Sequence, residues 1–159
     1  MATSTSRLDE IVYTDDDLRQ GMELLFYAYR DFIGPPDEIL KKYCFGRAHH
    51  RVIHFVGRNP GITVSNLLCI LRITKQSLSG VLSELIREGI VNQNKGVEDR
   101  RQRLLSLTEK GREFELLVSQ NQRDRIAKSF VNAGPEAVEG FRKVLVGIIN
   151  DSADAKKFF

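Results

Sequence analysis

Residues 61–111 constrain this chain more than any other stretch. From Pro60 they read PGITVSNLLCILRITKQSLSGVLSELIREGIVNQNKGVEDRRQRLLSLTEKG. Two short apolar-periodic segments meet at a tight turn. Thr63 is a candidate N-cap for a helix over 64–71, Arg72-Ile73 makes the turn, and Thr74 is the candidate cap of a helix over 75–89. Leu78, Val81, Leu82, Leu85 and Ile86 form the buried stripe of that second helix, and Gly89 stops it. Strands over 90–93 and 103–107 then flank a charged loop over 94–102. That order predicts a helix-turn-helix followed by a β wing.

Helices are expected on both sides. Leu18, Met22, Leu25, Tyr29 and Phe32 recur at helical spacing after Asp15–Asp17, with Phe26 and Ile33 widening the stripe. Gly34-Pro35-Pro36 is expected to end this helix, because proline cannot continue one. A second helix is predicted over 37–57, with Gly46 a weak point inside it. A long helix follows the wing to about residue 131, and Ala133-Gly134-Pro135 separates it from a last one over 135–150. Residues 1–15 read as a polar, frayed arm. The fold class is mainly α with a small β wing.

The chain has 159 residues and a net charge of +3. Residues 60–112 hold nine Lys/Arg against five Asp/Glu, whereas 1–59 hold eight against nine and 113–159 seven against seven. The basic excess therefore sits in the helix-turn-helix and wing, where a phosphate-binding surface needs it. No run of about 18 apolar residues predicts a membrane span, and MATSTSRLDE offers no apolar export signal. A cytoplasmic protein without cofactor or metal is expected. No paired carboxylates, nucleophile with base, or phosphate-binding glycine loop points to an enzyme.

The major groove admits one α-helix, anchored by an apolar face and presenting small polar residues near base edges. Thr74, Gln76, Ser77, Ser79 and Ser83 are the candidates for edges or phosphates, and Lys75 for a phosphate. Arg100, Arg101 and Arg103 cluster at the loop exit, and arginine suits a narrow minor groove. Asp99 is expected to hold an arginine fork through its carboxylate.

Asp99-Arg100-Arg101 resembles the Asp-x-Arg wing signature of the multiple antibiotic resistance regulator (MarR) family, and Leu107-Thr108-Glu109-Lys110-Gly111 resembles that family's exit from the wing. The resemblance implies a homodimeric transcription regulator on double-stranded DNA with a palindromic operator. It divides the chain into an arm and dimerisation helix (1–34), a winged helix-turn-helix lobe (35–111, with connecting helix 37–57 and wing 90–107) and C-terminal dimerisation helices (112–159). It would give the apolar excess on helix 16–33, and Phe158-Phe159, a place in the dimer interface. Gly80 departs from the pattern, standing where many relatives carry an arginine, so an operator sequence does not transfer.

The resemblance also implies a sensor. One candidate is an apolar pocket for a small phenolic or lipophilic effector, with Phe26, Tyr29, Tyr43, Phe45 and His50 near it and Arg47 or Arg51 pairing the ligand's charge. The alternative is redox or metal sensing through Cys44 and the His49/His50/His54 cluster. Cys44 and Cys69 have apolar neighbours in sequence and are expected to be buried, inert thiols. A winged-helix module for protein–protein contact without specific DNA binding is the remaining alternative.

Overall fold

A computed structural model describes residues 7–8 and 11–158. Of the arm expected over 1–15, residues 1–6 and 9–10 lie outside the described ones, as does Phe159. Two short strands, β1 (Arg7–Leu8) and β2 (Ile11–Val12), pair antiparallel.

Helix α1 runs from Asp15 to Lys42. Thr14 and Asp17 open it with a capping box. The Thr14 hydroxyl accepts the Asp17 amide at 3.2 Å, and the Asp17 carboxylate accepts the Thr14 amide at 2.9 Å. The Thr14 hydroxyl also donates to the Asp17 carboxylate at 2.7 Å, and this bond, then the one from the Thr14 amide, holds the Asp17 carboxyl below its ordinary range.

The predicted stop at Gly34-Pro35-Pro36 is incorrect: α1 continues through both prolines. Each proline lacks an amide donor and crowds the carbonyl four residues back. Pro36 and Leu40 are fully buried, so core packing on the last turns outweighs the missing bonds. The break comes later, at a turn that closes the helix by a Schellman motif. Phe45 N–H donates to Leu40 O (3.0 Å) and Cys44 N–H to Lys41 O (3.1 Å). Cys44 takes the left-handed conformation there, φ 57°.

The predicted helix over 37–57 is therefore two pieces. Its first residues belong to α1, and α2 spans Arg47–Arg58 with Gly46 as N-cap. Gly46 has no side chain to cap with, and His49 Nδ1 accepts its amide instead, at 3.1 Å.

Strand β3 (Ile62–Thr63), helix α3 (Val64–Leu71), helix α4 (Lys75–Arg87), strands β4 (Val91–Lys95) and β5 (Arg103–Leu107) follow, then helix α5 (Glu109–Ala133). The order β3–β5–β4 places β5 in the centre of an antiparallel sheet. Ile62 lies opposite Leu105, and Val91 opposite Leu107. The core joins Leu40, Phe45, Val52, Ile53, Val56, Leu67, Leu78, Leu82, Leu85, Leu105, Phe114 and Val118. Burying each large apolar side chain contributes roughly 1.5–3 kcal/mol.

The chain divides into two compact units between Ser119 and Gln120. The second unit holds the rest of α5, helix α6 (Pro135–Ile148), helix α7 (Ser152–Ala155) and a 3-10 turn over Lys156–Phe158. Phe130 and Phe141 meet edge to face at 5.9 Å. No described residue of α6 or α7 is buried. No described helix is long and apolar enough to cross a membrane.

Candidate nucleic-acid interface

The local chemistry expected around the helix-turn-helix is present. Thr63 caps α3 by accepting the Asn66 amide at 3.1 Å, and Thr74 caps α4 by accepting the Ser77 amide at 3.1 Å. Arg72 turns the chain between them at φ 51°. Gly89 closes α4 at φ 69°, its amide donating to Ile86 O (3.0 Å) while Ile90 N–H reaches Leu85 O (2.9 Å).

On α4, Leu78, Leu82 and Leu85 are buried, and Lys75, Gln76, Ser79, Gly80 and Ser83 lie on the open side. Thr74 and Ser77 are engaged with each other: the Thr74 hydroxyl donates to Ser77 Oγ at 2.8 Å besides accepting the Ser77 amide. Their oxygens serve the helix start. Lys75, Gln76, Ser79 and Ser83 remain as exposed groups offered outward. Gly80 lies amid them, and a β-carbon there would meet nothing within 4 Å. Arg87 completes the same helical row at i+4 from Ser83 and is exposed too. The sequence reading missed it, although the row Gln76, Gly80, Ser83, Arg87 follows from the 3.6 period alone.

The wing is a tight hairpin loop. Gly96 N–H donates to Gln102 O and Gln102 N–H to Asp99 O, both at 3.1 Å. Gly96 is buried, and a β-carbon there would stand 2.6 Å from the Asp99 carbonyl oxygen. Asp99 does not hold an arginine fork. Its Oδ1 accepts the backbone amide of Arg101 at 2.9 Å, and it forms no ion pair among the described residues. An aspartate two residues before an amide meets it without ordering a long side chain, which an ion pair would require. Arg103 donates from its guanidinium to Arg100 O at 3.0 Å, bracing the loop. Arg100 and Arg101 point their charges into solvent with no partner among the described residues. Val97 at the tip is 95% exposed.

The residues proposed for an effector are not gathered into one cavity. Phe26 is exposed on α1 against Tyr27. Tyr29 accepts a hydrogen bond from Arg51 at 3.1 Å. Arg47 pairs with Asp37 at 2.8 Å, and His50 is half-buried on α2. Burial, then the charge of His54, pushes the His50 imidazole below its ordinary pKa. Of these candidates Tyr43 and Phe45 line a cavity of about 260 Å³, with Ile90, Lys110, Phe114 and Leu117 among its other walls.

Both cysteines are exposed, which overturns the expectation of buried thiols. Successive helical residues point about 100° apart, so the apolar neighbours of Cys69 say little about where its own side chain goes. His49 bonds Glu84, and exposed His54 meets Phe55 edge on at 5.1 Å. No group of three or more His, Cys, Asp or Glu side chains among the described residues is placed to hold a metal.

Comparison with known proteins places this geometry. A model of the MarR family matches residues 45–102, which hold α2, the helix-turn-helix and most of the wing. The helix-turn-helix-type transcriptional regulator PetP of Rhodobacter capsulatus is 49% identical over 137 residues, covering 86% of this chain and 82% of that protein. The crystal structure of Streptococcus pneumoniae FabT in complex with DNA superposes with a TM-score of 0.71 at 21% identity, over 83% of this chain and 94% of that one. A mutant MarR from E. coli complexed with operator DNA gives 0.61 at 17% identity, over 84% and 96%. The last two likenesses concern the fold. The match to PetP carries the assignment: the chain belongs to the MarR family of winged helix-turn-helix transcriptional regulators.

Proposed function

We propose that the chain acts as a homodimer that reads a palindromic operator, with α4 in the major groove and the wing in the adjacent minor groove. The observation that carries this is the pairing of two outward-facing sets on one sheet-linked frame. Lys75, Gln76, Ser79 and Ser83 project from α4, and Arg100 and Arg101 project from the wing with their charges unspent. FabT and MarR in complex with DNA support the reading by likeness of fold. The test is fluorescence anisotropy on a duplex selected by the chain from a random library. Binding should weaken steeply with salt, and Arg101→Ala should lower the log–log salt slope by about 0.9 if one phosphate contact is lost. An unchanged slope and affinity in Arg101→Ala removes the wing from the interface.

The dimer rests on surface left uncovered within the chain. Met22, Leu24 and Phe26 on α1 are exposed at 71%, 69% and 63%. In the second unit Phe130, Phe141, Leu145, Val146, Ile149 and Phe158 line an open groove of about 590 Å³. Contiguous exposed apolar side chains of this kind mark interaction surfaces. Sedimentation should give a dimer mass, and a concentration-independent monomer would refute it. The cavity at Tyr43, Phe45 and Phe114 supports release by a small lipophilic or phenolic effector. A phenolic acid that leaves the anisotropy of the bound duplex unchanged at every concentration would argue against this.

A further inference from the structure

His49 is held from three sides. Its Nδ1 accepts the Gly46 amide at 3.1 Å at the start of α2. Its ring stacks on Phe45, with centroids 4.8 Å apart and planes 18° from parallel. Its Nε2 stands 2.8 Å from Oε2 of Glu84, and the side chain is only 13% exposed. An imidazole nitrogen that accepts an amide hydrogen carries none itself, so the ring proton is on Nε2 and is donated to Glu84. Both nitrogens are satisfied with the ring neutral, and neither can turn away without leaving a polar group unpaired.

Glu84 belongs to α4, one turn beyond Gly80 and next to Ser83 on the outward side. The apolar stripe of α4 fixes its depth on the core through non-directional contacts, whereas a hydrogen bond also fixes direction. The His49–Glu84 bond is a polar tie from α2 to the reading helix, and it sits on its flank, where it limits rolling. It also draws a carboxylate toward α2, away from the row that would meet DNA phosphates.

We propose that His49 is a positioning residue for the reading helix, acting through Glu84 to set the roll of α4 and thereby the operator affinity. The inference rests on α4 being the DNA-reading element.

Two substitutions separate the two bonds of the ring. In His49→Gln the side-chain amide nitrogen can occupy the place of Nε2 and keep the tie to Glu84. In His49→Asn the oxygen can occupy the place of Nδ1 and keep the cap on Gly46, but the chain is too short for Glu84. Anisotropy would be measured on the duplex enriched from a random library and on poly(dI-dC). His49→Gln should bind the selected duplex within about twofold of the parent, and His49→Asn and Glu84→Ala should each lose roughly tenfold. The double variant His49→Asn/Glu84→Ala should lose no more than either alone, and poly(dI-dC) binding should be unchanged in all. Full affinity in His49→Asn with loss in His49→Gln would overturn the proposal, because the cap and not the tie would then matter.

Two measurements without DNA keep it testable should no duplex be enriched, a result that would count against the DNA-reading assignment alone. Nitrogen-15 spectra of the imidazole should show the Nε2–H form of His49, and an Nδ1–H form overturns the tie. Amide hydrogen exchange along α4 should quicken in His49→Asn and stay at the parent rate in His49→Gln. Unchanged exchange in His49→Asn also overturns it.

Discussion

The α-carbon of Gly111 lies against the carbonyl group of Ile90: a β-carbon there would overlap the carbonyl oxygen and stand 3.0 Å from the carbonyl carbon. Thr108 closes the same junction. Its hydroxyl donates to Gly89 O at 2.6 Å and accepts the Gly111 amide at 2.9 Å. The start of α5 is thus pressed onto the start of the wing. Gly111→Ala is expected to destabilise the fold by about 1–3 kcal/mol, since the obstacle is backbone and cannot swing aside. Urea unfolding measures it, with an unchanged midpoint refuting the close packing.

Gly80 is the opposite case. It sits within α4 at an ordinary helical φ, in open space. Gly80→Ala should raise stability by about 0.5–1 kcal/mol through helix propensity alone. A thermal melt at equal concentration checks this. Gly80→Arg should fold equally well and steepen the salt dependence of DNA binding by about 0.9 if the new side chain meets a phosphate.

Cys44 occupies the position after α1 where glycine is favoured, at φ 57°. Cys44→Gly should stabilise by up to about 1 kcal/mol, the relief of the left-handed strain exceeding the added freedom of the unfolded chain. A higher urea midpoint with an unchanged slope would show it.

The bond from the Arg101 amide to Asp99 Oδ1 predicts that shape, not charge, is what the wing needs from this aspartate. Asp99→Asn keeps the acceptor and should bind the selected duplex at least as tightly as the parent. Asp99→Ala should bind several-fold more weakly, by roughly the value of one hydrogen bond, 0.5–1.5 kcal/mol. Equal loss in both variants would point back to a charge role.

His50 makes the fold acid-sensitive. Burial lowers its folded pKa below the 6.5 of an exposed imidazole. Between those two values the unfolded chain binds more protons than the folded one, so stability rises with pH there. The contribution is complete above about 6.5, the ordinary histidine value, and is lost as pH falls through the lower folded value. His50→Gln should flatten that part of the stability–pH curve, measured by urea melts from neutral to mildly acidic pH.

What could be read from residues alone was what local chemistry decides. Thr63, Thr74 and Gly89 mark helix ends by side-chain oxygens and a left-handed turn, and each does so in the structure. The boundary between α1 and α2 was not legible. Local rules stop a helix at Pro35-Pro36, while the burial of Pro36 and Leu40 by distant residues carries it on to a cysteine in a glycine-like conformation. β3 has two residues, too few for any periodic signal, and exists through pairing with β5. Asp99 had charges and amides within reach, and nothing linear chooses between them. His49 and Glu84 are 35 residues apart, so their bond leaves no trace in either neighbourhood.

The central place of β5 has a mechanical consequence. Its Leu105 faces Ile62 on one side, at the entry to α3, and Gln93 on the other, in the outer strand of the wing. The helix pair and the wing are therefore two jaws of one caliper, with a backbone ladder as the bar between them. A frame tied this way resists opening, so a duplex bound between helix pair and wing as proposed would supply much of the bending and groove adjustment itself. Selectivity can then reside in how easily base steps deform, including steps that no side chain touches.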